Sequence, residues 1–477
     1  MSGYEQGGAS LTRKALKSWH PRHLSAKGDI EYNLRTLRNR AHDLAINTAL
    51  GAACVQTLLT GVIGSGLKLF PRVKGELVGL TTQQAREWNK QVKREFELWA
   101  QEPLHVDYLR RNNFYELQQI LFQSALVDGD SFVLFKRANP TAYNPYTLRL
   151  QAVEGLRVSN PNNVVEEIRG THRLINGIEL DSSGALEAVW IANRLLEEPG
   201  LNGELKWERV RWYGQETGFR NVLQICKDMR PDQARGVPLL APVIEMLKQL
   251  SRLDEAELGS AIVRSFFSIF FTQAERDLPF NEIVGEDMDV KDFKLDSPSV
   301  TSLPRGVDVK AVDSARAQSS FEVFSSSFIK RIGAAIGIPY ECLLKNFQSS
   351  YSASRAALLQ AEDVFRQRKA AFVIDFCAPV YELFLMEAIA LGRIDAPGFD
   401  EPIKRQAYLN AQWINERSGV IDPLKEVNSS ILKLEHGLST YERELAEQGL
   451  DFEDVMETLA QERELLNDKE LDTPRDS

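Results

Sequence analysis

Apolar residues recur three or four positions apart over most of this chain, and the places where that rhythm fails divide it into segments. A helical stripe begins at Ile30 with Leu34, Leu37, Ala41, Leu44 and Ala45, runs on through Leu50, Ala53 and Leu58, and breaks at Gly61, Gly64 and Gly66. A second amphipathic helix is predicted from Thr82 to about Ala100, opened by Thr81 or Thr82 as an N-cap, with Trp88, Val92, Phe96 and Trp99 on its apolar side. A third runs from Phe114 to Val127 and stops at Asp128-Gly129-Asp130. There the period shortens. Ser131 to Arg137, Leu148 to Val153, Leu174 to Leu180 and Ala188 to Asn193 are β-rich runs between turn pairs such as Asn160-Pro161 and Asn176-Gly177.

Pro238 and Pro242 introduce the longest helical pattern, from about Leu239 to Phe271. At 1.5 Å per residue it would be roughly 45–50 Å long, the length of a strut. Residues 277 to 312 read as loop and strand, and helical spacing returns from about Ala315 to Ile336 with Phe321, Phe324, Phe328 and Ile332 on one side. A polar loop with Gly337, Pro339 and Gln348-Ser349-Ser350 precedes a long helix from Ser352 to Leu391, where Pro379 predicts a kink. From Pro402 the chain reads as helical and increasingly acidic. The fold class is α+β, predominantly helical.

A chain of 477 residues suggests two or more domains, and 43% hydrophobic residues with 26% charged suits a folded protein. The net charge of −10 argues against coating nucleic acid by neutralising phosphates, though not against a passage through which DNA slides. Charge is uneven. Arg13, Lys14, Lys17, Arg22, Lys27, Arg35, Arg38 and Arg40 face only Asp29 and Glu31, whereas from Tyr441 onward the sign reverses. Cys54, Cys226, Cys342 and Cys377 form no CxxC pair, so neither a disulfide framework nor a zinc site is expected. The N-terminus has no apolar h-region, and the apolar run Ala261 to Phe271 is too short to span a bilayer and is interrupted by Arg264. A soluble, cytoplasmic chain without membrane partners is the expectation.

Candidate chemistry is sparse. No Walker lysine, GxSxG elbow or HExxH occurs, and His20, His23, His42, His105, His172 and His436 never take helical ligand spacing with a carboxylate partner. Gly61-Val62-Ile63-Gly64-Ser65-Gly66 follows a helix and precedes a strand-like run, the reverse of a phosphate loop. Asp128-Gly129-Asp130 would supply a carboxylate pair to a metal, but Asp and Gly are also what a helix-closing turn demands, and the turn is favoured. Phe266, Phe267, Phe270 and Phe271 are read as helix packing rather than a base-stacking platform. No catalytic residue, metal site or cofactor is expected.

Several segments, in order, resemble the lambda-type family of tailed-bacteriophage portal proteins. Arg38-Asn39-Arg40-Ala41-His42-Asp43-Leu44 with Asn47 and Val62-Ile63-Gly64-Ser65-Gly66-Leu67 resembles its basic helix and Ile-Gly turn. Arg230-Pro231-Asp232-Gln233-Ala234-Arg235-Gly236-Val237-Pro238 is similar to its lead into the stem helix, and Ser260-Ala261-Ile262-Val263 lies at the matching place within that helix. The most specific block is Ile332-Gly333-Ala334-Ala335-Ile336-Gly337-Ile338-Pro339-Tyr340-Glu341, followed by Ser350-Tyr351-Ser352-Ala353-Ser354-Arg355-Ala356. Arg235, Gly236, Gly337, Tyr340, Glu341, Tyr351, Ser352 and Arg355 are thus the motif residues, and the blocks span about Arg38 to Leu391. Leu303-Pro304-Arg305-Gly306-Val307-Asp308 departs from the family's Pro-Gly-Glu-like turn.

The resemblance implies a non-enzymatic portal fold of wing, stem, clip and crown that closes into a ring, typically of twelve subunits, at one capsid vertex. It implies a flexible basic arm (1–28), a wing (29–236), a stem helix (237–272), a clip (273–314) and a second stem helix (315–340). A tunnel loop (341–351), a long kinked helix behind the channel (352–391) and a helical crown with acidic tail (392–477) complete it. Lys345, Asn346, Gln348 and Ser349 become candidates to approach double-stranded DNA non-specifically; a plain surface loop is the alternative. Implied partners are further copies of the chain, the terminase large subunit, major capsid and scaffold proteins, and head-completion or tail-connector proteins. The implied location is the virion, reached through assembly in the host cytoplasm. An adaptor or scaffold-like protein without a channel, or a nucleic-acid-processing enzyme, are the competing readings.

Overall fold

The computed structural model describes residues 8–162, 164–195, 204–226, 230–265, 269–273, 307–311, 318–347, 350–415, 423–450 and 452–468. The chain divides into two units, residues 1–244 with 336–477, and residues 245–335.

In the larger unit a π-helical turn, Lys27–Glu31, leads to α1 (Leu34–Asn47) and α2 (Ala49–Val62). The apolar rhythm predicts one helix here, but the structure has two, bent by 93°. Thr48 is the cause. It takes an extended conformation, its hydroxyl accepts the Gly51 N–H at 3.2 Å, and it donates to the Leu44 carbonyl at 2.6 Å. Capping an orphan N–H restarts a helix in a new direction while leaving the spacing of apolar residues intact.

After β1 (Lys68–Pro71) come α3 (Gly75–Val78), α4 (Thr82–Ala100), α5 (Pro103–Val106) and α6 (Phe114–Asp128). Reciprocal capping boxes, Thr81 with Gln84 and Asn113 with Glu116, open α4 and α6. Trp88, Val92, Phe96 and Trp99 are buried, as the spacing predicts. Gly129, at φ 93°, ends α6.

The β-rich region holds two antiparallel sheets. One has the order β3 (Leu148–Glu154), β2 (Asp130–Arg137), β9 (Val222–Cys226). The other is a meander of β4 (Glu166–Arg169), β5 (His172–Ile175), β6 (Ile178–Leu180), β7 (Leu186–Ala192) and β8 (Trp207–Arg211). The β-rich run Leu174 to Leu180 is a hairpin folded at the Asn176-Gly177 turn pair, whose two residues both have positive φ, 45° and 87°. Phe132, Leu134, Val153, Ile178, Val189, Ile191 and Trp212 form the buried core of this region.

The smaller unit runs from α7 (Ile244–Ser265) through β10 (Ile269–Gln273) and β11 (Val307–Ala311) to α8 (Gln318–Ile336). The strut expected from Leu239 to Phe271 is therefore shorter. Phe270 and Phe271 lie in a strand, opposite Lys310 and Val309, and are not helix-packing residues. Ile-Phe-Phe-Thr favours a pleated ladder once β11 offers a partner, and a short apolar run does not distinguish the two periods. Phe266, Phe267 and most of the expected clip lie outside the described residues.

The chain returns to the larger unit with α9 (Tyr340–Leu344), α10 (Tyr351–Phe372), a π-helical turn (Val373–Cys377) and α11 (Ala378–Ala390). The break expected at Pro379 takes the form of that π-turn. Proline offers no N–H to the preceding turn, and a widened turn accommodates the missing bond. Then follow α12 (Pro402–Tyr408), β12 (Ala411–Ile414), α13 (Pro423–Glu435), α14 (Tyr441–Glu447) and α15 (Phe452–Asp468). The expectation of an all-helical remainder fails at β12, which pairs antiparallel with β1 from Lys68↔Ile414 to Pro71↔Ala411. That pairing sets Trp413 in an aromatic core with Phe96 (5.8 Å between ring centroids), which also meets Phe114 at 5.3 Å and Phe384 at 5.1 Å. Among the described residues no single helix is long and apolar enough to cross a membrane.

Candidate functional site

The segment that carries the most specific motif begins where α8 ends. Gly337 has φ 80°, a conformation that L side chains rarely adopt, and Pro339 then caps α9. The loop expected over residues 341–351 is partly helix. Glu341, Cys342 and Leu344 belong to α9, whose Leu343 is buried, because the Pro339 carbonyl accepts the Cys342 and Leu343 N–H groups. Burial pushes the Cys342 thiol up to about 11, with Glu341 adding to it. The loop proper starts at Lys345, at φ 51°, whose N–H and that of Asn346 reach the Glu341 carbonyl. Both side chains are exposed and make no hydrogen bond or ion pair among the described residues. Gln348 and Ser349 lie outside the described residues. Ser350 restarts the helix, accepting the Ala353 N–H at 3.4 Å. Tyr351 opens α10, Ser352 is exposed, and Arg355, Tyr340 and Glu341 are half-buried.

The other motif residues, Arg235 and Gly236, lie in a buried charged knot. Arg235 has 1% of its surface exposed, and all five of its N–H donors are used. Nε and one Nη bind Asp130 at 2.7 and 2.9 Å; the remaining donors go to the carbonyls of Gly155 (2.6 Å), Val158 (2.7 Å) and Asn176. Arg38, from α1, donates to Asp130 at 2.7 Å and to the Asp128 carbonyl at 2.6 Å. Glu31 accepts the backbone N–H groups of Ala234 and Arg235, and the Asn176 amide at 2.8 Å. Gly236 donates to Asp130 at 3.0 Å and lies against Gly129. A Cβ on Gly236 would meet the Gly129 carbonyl oxygen at 1.9 Å, so only glycine fits.

Charge explains why the knot survives burial. Desolvation pushes the Asp130 carboxyl up, but Arg235 and Arg38 outweigh it and hold it at about 2. Burial and the neighbouring Arg235 lower Arg38 to about 10, against the pull of Asp130. Burial also raises Asp128, opposed by Arg38 and His42. Asp130 is the residue that sequence reasoning missed. The turn reading of Asp128-Gly129-Asp130 holds, since Gly129 closes α6, but the third residue is also the hub of two arginines. Among the described residues no group of three His, Cys, Asp or Glu side chains is placed to hold a metal ion.

These two segments coincide with the blocks that resemble a known family, and a direct comparison decides the matter. The profile of the phage portal protein, lambda family, matches residues 12–369. The chain belongs to this family. Portal protein B of Escherichia phage lambda is 24% identical over 482 residues, covering 95% of this chain and 88% of the relative. The Portal protein of Escherichia phage N15 is 25% identical over 492 residues, with the same coverage. Among solved structures, the chain is similar to the neck of a native gene transfer agent particle computed with C12 symmetry, at TM-score 0.41 and 13% identity, covering 91% of this chain and 95% of that one. The neck of the empty particle computed with C6 symmetry is similar at TM-score 0.40. In this portal protein, the Arg38 block and the Arg235-Gly236 block are two halves of one structure, joined through Asp130 across about 200 residues of sequence.

Proposed function

We propose that copies of this chain close into a ring at one capsid vertex and that double-stranded DNA enters and leaves through its centre. The carrying observation is the exposure of large apolar residues on the two helices that flank the 266–317 insertion. Leu258 (64%) and Ile262 (50%) on α7, and Val323 (72%) and Phe324 (51%) on α8, are each half or more exposed. Such stripes are covered when each subunit packs its helices on the next by a head-to-tail contact that closes.

In this reading α7 and α8 are the stem, the 273–314 segment the clip, and residues 29–236 the wing. α10, the π-turn and α11 stand behind the channel, and 392–477 form the crown. Lys345 and Asn346 face the DNA, Lys345 as a salt-sensitive phosphate contact and Asn346 as a neutral neighbour; Gln348 and Ser349 belong to the same loop. The protein is a conduit and not an enzyme, so a separate terminase motor docks on the clip and head-completion or tail-connector proteins replace it. Capsid and scaffold proteins meet the periphery.

Electron microscopy and native mass spectrometry of the purified protein test the ring. Closed annuli with a central hole are expected; monomers at every salt and protein concentration would overturn the reading, and solid clusters would favour an adaptor. Lys345→Ala is expected to leave rings intact and reduce DNA packaging or retention. Unchanged packaging by intact Lys345→Ala rings would remove Lys345 from the channel while leaving the ring standing.

A further inference from the structure

Asn176, Asp232, Arg110 and Lys345 are the positive-φ residues other than glycine among the described residues. Asn and Asp tolerate that conformation; Arg and Lys gain nothing from it. Lys345 has a role in the proposed channel loop. Arg110, at φ 60°, has none yet.

Its loop is held rigidly from below. Asp107 is 2% exposed, and its carboxylate accepts the N–H groups of Leu109 (3.0 Å), Arg111 (2.9 Å) and Asn112 (3.1 Å). The Arg110 N–H bonds the Asp107 carbonyl at 3.1 Å, and the Tyr108 N–H bonds Leu150 in β3 at 2.8 Å. So firm a frame fixes a strained backbone, a condition that recurs where a side chain must be presented rather than packed. Arg110 and Arg111 are both exposed, and neither has an ion pair among the described residues. Burial depresses the Arg149 guanidinium; Glu387 opposes this, and Arg110 adds a smaller push in the same direction as burial. Glu102 is engaged in capping Leu104. Large exposed apolar groups share this stretch of chain: Leu104 is 55% exposed, Tyr108 45% and Leu109 53%, and Leu98, 62% exposed, is tied to it through its carbonyl, which the His105 ring reaches at 3.1 Å.

We propose that this loop, with Leu98 and Leu104 beside it, docks an acidic amphipathic segment of a partner protein. Two adjacent guanidiniums on a fixed loop select carboxylates, and a tyrosine with three leucines selects apolar side chains between them. A phosphate backbone would satisfy the arginines and leave the leucines uncovered, so a protein fits better than DNA. The proposal does not depend on the channel reading.

Fluorescence anisotropy with a labelled amphipathic Leu/Glu helix of about 18 residues tests this on the full-length protein. Binding is expected to weaken at least tenfold in R110E/R111E and in Leu109→Ser, and to fall between about 0.1 M and about 0.5 M salt. The same peptide with Gln for Glu should bind at least tenfold more weakly, and duplex DNA should not compete. Circular dichroism and thermal melting establish that the variants are folded, and the milder Arg111→Gln serves if the double variant is not. Equal binding by wild type and folded variants, or competition by DNA, overturns the proposal. Loss of self-association in folded R110E/R111E also overturns it, because the occupant would then be a second copy of this chain.

Discussion

Asp130 shows how one side chain organises distant parts of this fold. It is fully buried, yet accepts from Arg38, Arg235, Gln224 and the Gly236 N–H. Replacing it with Asn keeps the shape but leaves two buried guanidiniums facing one carboxylate fewer, so Asp130→Asn should cost about 3–5 kcal/mol at neutral pH. Acid should erase much of that difference. A carboxyl held near 2 against an ordinary 3.8 stabilises the fold above pH 4 and loses the contribution as pH falls from 4 towards 2. Asp128 is raised, so protonating it relieves a burial cost and opposes the trend without a second loss. Urea denaturation of wild type and Asp130→Asn at pH 7 and pH 3 checks this; an equal gap at both would show that the ion pairs contribute nothing. The resemblance made Arg235 and Gly236 legible, but not their partner. An Asp-Gly-Asp turn reads alike whether its last carboxylate faces water or two arginines, because local pattern carries no information on residues about 90 and 105 positions away.

At the scale of elements, what the sequence made legible was what local chemistry decides. The starts of α4 and α6 follow from capping boxes within four residues, and the Asn176-Gly177 turn follows from two residues that accept positive φ. The α1–α2 bend was hidden because Thr48 changes direction without interrupting the apolar rhythm, although Thr at a helix start is itself a cap signal. Thr48→Ala should therefore destabilise the protein by about 1 kcal/mol and Thr48→Gly by only a few tenths, measured as a shift in urea midpoint at constant slope. No measurable loss in Thr48→Ala would mean that the hydroxyl bonds to Gly51 and Leu44 are incidental. β10 and β12 were missed for another reason. Each becomes a strand only through a partner, β11 in one case and β1 in the other, and β1 lies about 340 residues away. No window along the chain contains that pairing.

For the whole molecule, the question is why a chain with a well-filled core in its larger unit leaves large apolar residues of α7 and α8 half or more exposed. A monomer would gain by making Leu258, Ile262, Val323 and Phe324 polar, since each is half or more exposed. A ring would lose by it, since the same residues lie between neighbours and every subunit contributes twice, once with each side. The two cases predict opposite signs. Leu258→Glu with Ile262→Glu should leave the subunit folded, with unchanged far-ultraviolet circular dichroism, yet convert rings to monomers. The effect should persist at high salt, because apolar burial is lost and not only charge repulsion introduced. Isosteric Leu258→Met should form rings normally. If the Glu pair assembles as well as wild type, these helices do not form the wall, and the apolar stripes on which the ring reading rests have another purpose.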